Sequence, residues 1–179
     1  MPQGFALILF LLFFAAPAWE ETYNNWVANC RSYKDVATWL NDNFHCDPGR
    51  SVWNSGKAGG KQLQMKGKED IFHYRTGGSL DAALFARETL NRISPDYRAK
   101  IISLSGDRPP VHYLCGFYVG GKLFIMDYWN PQESLNGTHG PFDGLNDYVQ
   151  KFYLKRQPAP AKFIRCSFGM TPVPPPRQR

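Results

Sequence analysis

Val111-His112-Tyr113-Leu114-Cys115-Gly116-Phe117-Tyr118-Val119-Gly120-Gly121-Lys122-Leu123-Phe124-Ile125-Met126-Asp127 reads as two β-rich runs joined by a Gly-Gly dipeptide. Two glycines accept the positive φ angles of a tight hairpin, so the turn pairs Val119 with Lys122. Strand alternation then puts His112, Leu114, Gly116 and Tyr118 on one face and Tyr113, Cys115 and Phe117 on the other. Carried back, that register sets position 112 opposite 129 and makes Asp127 a diagonal neighbour of His112 on the same face. A carboxylate that close can hold an imidazole in one tautomer. Cys115 points away from His112 and is no partner for it.

Upstream lies Thr76-Gly77-Gly78-Ser79-Leu80-Asp81-Ala82-Ala83, a glycine pair running into an amphipathic helix marked by Leu80, Ala83, Leu84 and Leu90 and stopped by Pro95. Ser79 falls at the helix start, where backbone N–H groups lack partners and the dipole is positive, a setting that favours a developing anion. Ser79, His112 and Asp127 therefore follow one another as nucleophile, base and orienter.

Further out, Tyr33, Val36, Ala37, Leu40 and Phe44 recur at helical spacing behind Ser32 and Asp35, a capping-box pair, which predicts a helix over Ser32–Phe44. Asp47–Arg75 is Gly-rich and irregular, with one short element around Gln62–Met65. Ala99–Leu104 and Lys162–Phe168 are further strands, and Leu145, Tyr148, Val149, Phe152 and Tyr153 give a third amphipathic helix. Helices ahead of a mostly antiparallel sheet predict an α+β domain.

The chain has 179 residues, 43% of them apolar, enough for one core. Residues 1–18 form a signal peptide or N-terminal anchor: Gly4–Ala18 is apolar, ends in Ala16-Pro17-Ala18, and falls short of the roughly 20 residues a bilayer requires. Residues 19–170 are the exported domain, periplasmic or secreted, and residues 171–179 an extended Pro-rich tail. Export favours pairing of Cys30, Cys46, Cys115 and Cys166; of three connectivities the sequence-local one joins Cys30 to Cys46 and Cys115 to Cys166, the alternative being small buried thiols. No CxxC supports a zinc site, and neither metal nor cofactor is expected. The net charge of +6 gathers partly in Lys57, Lys61, Lys66 and Lys68, a solvated loop that could touch an anionic polymer. Basic residues are not interleaved with aromatics as a nucleic-acid module requires.

Gly78, Ser79, Asp81, Ala82 and Ala83, with His112 and the run Gly121–Asp127, resemble the transglutaminase-like domains with a papain-like cysteine-proteinase core, in particular bacterial exported members. The resemblance spans Trp26–Phe168 and implies a papain-like α+β fold. It also implies a catalytic set in which Ser79 replaces the nucleophilic cysteine, His112 is the base and Asp127 the orienter. Gln62 and Gln64 are candidate oxyanion donors, and Trp53, with Trp26, Trp39 and Trp129, candidate cleft walls.

Three readings follow. One is a catalytically degenerate monomer that binds a peptide or cell-envelope polymer, with the membrane involved only through an uncleaved N-terminus. Another is an active peptidase or amidase, whose alcohol must hand its proton to His112 during attack, because unlike a thiol it cannot wait as an anion. The third is a structural domain in which the three side chains only cap and pack. His73 reads as a loop-packing histidine, His139 has no role, and Asn136-Gly137-Thr138 fits a glycosylation acceptor by formula alone.

Overall fold

Ser32 opens the first long helix as expected, accepting the Lys34 N–H while Asp35 takes the backbone N–H groups of Arg31 and Ser32 at 2.8 and 2.9 Å. Those bonds hold the Asp35 carboxyl below its usual range. The structure, a computed structural model, describes residues 21–47, 66–106, 111–157 and 163–168. Outside them lie the proposed signal segment, Trp53, Gln62, Gln64, the element around Gln62–Met65 and the 171–179 tail.

Among the described residues four helices come first: α1 Tyr23–Asn29, α2 Tyr33–Asn43, α3 Lys68–Tyr74 and α4 Ser79–Ile93. Helix α3 corrects the irregular reading of its segment. Glu69 and Asp70 complement its N-terminal dipole, and Arg75, in the left-handed region at φ 56°, ends it by returning its N–H to Ile71 O. Two residue pairs, β1 His45–Cys46 and β2 Thr76–Gly77, form a parallel bridge that ties the end of α2 to the turn feeding α4. From the other side, Lys66 Nζ donates to Thr76 O and Oγ1 at 2.9 and 3.1 Å.

The remaining strands, β3 Lys100–Gly106, β4 His112–Val119, β5 Lys122–Asp127, β6 Gly137–Phe142 and β7 Phe163–Phe168, form an antiparallel sheet in the order β6-β5-β4-β3-β7. The hairpin has the expected register, Val119 opposite Lys122 and Cys115 opposite Met126, across Gly120 at φ 57° and Gly121 at φ 78°. β6 is an addition to the sequence reading. It is an edge strand, where Pro141 is tolerated, and a Cβ at Gly140 would stand 2.7 Å from the Phe124 ring.

The fold is α+β, with helices on an antiparallel sheet. One sheet face, carrying Ile101, Cys115, Phe117 and Met126, packs on α4 through Ala82, Ala83 and Ala86, whose small side chains permit close approach. Behind α4 stands an aromatic cluster in which Trp39 stacks on Phe85 at 4.4 Å and on Phe72 at 5.2 Å. The opposite face, carrying Ile102, Leu114, Leu123 and Ile125, packs on Tyr148 and Val149. There the expected third amphipathic helix departs from α geometry: Leu145–Asp147 is α-helical, Tyr148–Tyr153 winds as a π-helix and Leu154–Arg156 as a 3₁₀ turn. No helix among the described residues is long and apolar enough to cross a membrane.

The expected disulfides are corrected. Cys30, Cys46 and Cys115 are thiols. Cys30 donates to Trp26 O at 3.5 Å, while Cys46 lies in the bridge opposite Gly77. Cys115 sits on β4 opposite Ile101 and Cys166 on β7 opposite Leu104, with β3 between them. Two strand spacings, about 9.5 Å, exceed the roughly 7 Å that a disulfide spans between Cα atoms. Burial pushes the Cys115 thiol up to about 12, and burial aided by the Asp35 and Glu21 charges pushes Cys30 up to about 11.

Candidate functional site

Asp127 ends β5 with its side chain fully buried, and its Oδ1 meets His112 Nε2 at 2.6 Å. This is the diagonal contact the hairpin register implies. The carboxylate's other oxygen accepts from Asn130 Nδ2 at 3.1 Å and from the Tyr148 hydroxyl at 3.4 Å. A buried carboxylate is costly unless its lone pairs are met, and here they are. His112, 13% exposed, keeps its second ring nitrogen, Nδ1, for whatever approaches from outside the pair.

Ser79 is the first residue of α4 and 7% exposed. The preceding turn is shaped by Asp81, whose Oδ2 accepts the Gly78 N–H at 2.9 Å. Its Cβ lies 2.6 Å from where a Cβ on Gly77 would stand, so Gly77 must be glycine for the helix to start this close. With the Gly78 donor taken, the first-turn N–H groups of Ser79 and Leu80 have no partner inside the helix, which suits them to a developing anion.

Two matched lengths decide where this tip lies relative to His112. The C-terminal end of α4 abuts the hairpin tip, for Ser94, Pro95 and Tyr97 line a groove with Tyr118, Val119 and Gly120. The 15-residue helix extends about 22 Å from there. The 8-residue β4, starting from the same place, extends about 26 Å to His112. A helix and a strand of such lengths running together from that groove bring Ser79 and His112 toward the same end of the sheet, but on different sides. The imidazole belongs to the Leu114 face, and α4 covers the Cys115 face. Ser79 Oγ and His112 make no hydrogen bond in the described residues, so any contact between them runs round the strand end.

Trp26 and Trp39 line a cavity of about 470 Å³ with Tyr23, Phe72, His73 and Arg75, apart from Ser79, His112 and Asp127. His73 stands on α3 edge-on to Tyr74. Trp129 is 45% exposed at φ 69°. His139 gives its ring to Leu135 O at 2.7 Å. The Asn136 amide is engaged twice with the Asn130 backbone, at 2.7 and 2.9 Å, which removes it as a sugar acceptor in the folded chain. Sequence reasoning missed Asn130, Tyr148 and Tyr153 around the carboxylate; Asn130 alone left a trace, three residues beyond Asp127. Among the described residues no His, Cys, Asp or Glu group of three or more could hold a metal ion.

No protein-family model matches the chain, and no curated protein does. Among solved structures it is similar to calcium-bound LapG of Legionella pneumophila, at 16% identity and a TM-score of 0.39, over 60% of this chain and 63% of that one. The match thus spans just under two thirds of LapG's length.

Proposed function

We propose that this chain is an exported transglutaminase-like domain of papain-like fold that keeps a catalytic cleft but binds, rather than cleaves, a peptide or cell-envelope polymer. One observation carries the reading: the His112–Asp127 pair is fully built at 2.6 Å, while the hydroxyl of Ser79 at the neighbouring helix tip makes no bond to the ring. A thiolate could stand beside a protonated imidazole without giving up a proton in flight. An alcohol has to deliver its proton to the base as it attacks and needs the hydrogen bond in place. The cleft then offers a polymer backbone the first-turn N–H groups of α4 and a partly exposed imidazole, which is recognition without an activated nucleophile.

The completeness of the pair favours a second reading, an acyl-transfer hydrolase. In it Ser79 Oγ attacks the carbonyl carbon, His112 Nδ1 takes the hydroxyl proton and returns it to the leaving amine, Asp127 holds Nε2, and the Ser79 N–H faces the oxyanion. Peptide and ester substrates separate the two. We expect no turnover from the wild-type protein and measurable turnover from Ser79→Cys. Wild-type activity that Ser79→Ala abolishes would establish the hydrolase, and a Ser79→Cys variant that neither turns over substrate nor reacts faster than an ordinary thiol would leave only a structural role.

A further inference from the structure

The π-helical wind of Tyr148–Tyr153 has a consequence at Asp127. Residues five apart on an α-helix point about 140° away from each other. Where the bonds close from i to i+5, they come to the same side. Tyr148 and Tyr153 do so here, with ring centroids 5.9 Å apart. The Tyr148 hydroxyl donates to Asp127 Oδ2, and the Tyr153 phenol interacts with the Asn130 side chain, which itself donates to the same Asp127 oxygen. Burial, reinforced by the Asp127 charge, pushes Tyr153 up to about 12, as expected of a phenol enclosed beside a carboxylate.

Asn130 is fixed in turn. Its side-chain oxygen accepts the Gln132 N–H at 3.0 Å, and its backbone N–H and carbonyl are both clasped by the Asn136 amide. Donors from a loop and from a helix of unusual wind thus converge on the one carboxylate oxygen that His112 leaves unused. Packing alone would not call for this, since Phe142 and Phe152 already flank Tyr148 at 5.3 and 5.8 Å.

We propose that Asn130, Tyr148 and Tyr153 are positioning residues that fix the Asp127 carboxylate so that Oδ1 meets His112 Nε2, and that the π-helix brings the two tyrosines to that task. The inference rests on reading the His112–Asp127 pair as the working half of the site. Its primary readout does not.

The His112 Nε2–H proton and the ring ¹⁵N shifts report the tautomer and the bond to Asp127 directly by NMR. Asn130→Ala and the double variant Tyr148→Phe/Tyr153→Phe are expected to move or lose that signal. In a Ser79→Cys background they should slow alkylation at pH 6 about tenfold, the effect of one hydrogen bond to a charged group. Gln150→Ala, on the exposed side of the π-helix, should change neither. If Asn130→Ala does not fold, Tyr148→Phe, which keeps the ring and removes only the hydroxyl, decides the question. An unchanged Nε2–H signal in the folded variants overturns the inference. If instead the signal responds but Asp127→Asn leaves alkylation untouched, the positioning inference stands and the cleft reading fails.

Discussion

Replacing Ser79 by cysteine turns the helix tip into a chemical probe of its surroundings. The first-turn position supplies up to about 2 kcal/mol in favour of an anion. If the His112 imidazolium reaches round the strand end to the roughly 4 Å of a thiolate–imidazolium pair, it supplies about 4 kcal/mol more at an effective dielectric near 20. Burial opposes both, because Ser79 is only 7% exposed. Charging burial with about 2 to 3 kcal/mol leaves the introduced thiol about 2.5 pH units below an ordinary one, near pH 6. At pH 6 about half would be thiolate, against about 0.3% of an ordinary cysteine; after the lower nucleophilicity of a weaker base, alkylation should be about tenfold faster. The assay is iodoacetamide labelling from pH 5 to 9 with peptide mapping, in wild-type, Ser79→Cys and Ser79→Cys/His112→Ala proteins. The expected profile is nearly flat above pH 6.5 and falls only below that, whereas the double variant falls tenfold per pH unit from pH 8 downward. A Ser79→Cys profile identical to that of the double variant would refute the idea that helix tip and imidazole share a site.

The native thiols give a second test. With Cys30 up at about 11 and Cys115 at about 12, neither should label in the folded protein at pH 8, reductant should leave the melting temperature unchanged, and Cys115 should react only after unfolding; a mass shift showing a Cys115–Cys166 bridge would contradict the sheet order. At α2, Ser32→Ala should cost about 1 kcal/mol and lower the melting temperature by about 2–4 °C, read by calorimetry. Asp35 adds a pH dependence with a definite sign. Its folded value lies below its unfolded one, so its contribution is complete above the unfolded value and is lost as pH falls through the folded one, and Asp35→Asn should flatten that acid limb.

The hairpin and the Ser32–Asp35 cap were legible because each is decided within a few residues: a Gly-Gly turn fixes one register, and parity carries it to His112 and Asp127. Helices α1 and α3, of seven residues each, are too short to show a period, and α3 is capped by Gly67, which has no side chain to announce a start. β6 was hidden by Gly140-Pro141, which reads as a turn and fits only because that edge needs no further ladder. The π-helix shows the same apolar spacing as an α-helix would, so its wider turn leaves no mark in the sequence pattern. Of the disulfide readings, the alternative of thiols fits Cys30, Cys46 and Cys115, with β3 lying between Cys115 and Cys166, a fact compartment chemistry cannot supply. The parity that correctly turned Cys115 from His112 also placed the imidazole on the face away from α4, a consequence visible only once the helix had been assigned to a side.

Helix α4 and strand β4 behave as two rulers cut to one length and clamped at the hairpin end. Removing one residue from β4 between Val119 and His112 would swing the imidazole through to the opposite side of the sheet. Removing one from α4 would turn Ser79 by about 100° and draw it back by about 1.5 Å. The spacing between positions 79 and 112 is therefore elastic only where the rulers do not run, in the connection past Pro95 and in the stretch ahead of His112, and length changes that spare the cleft should be confined there.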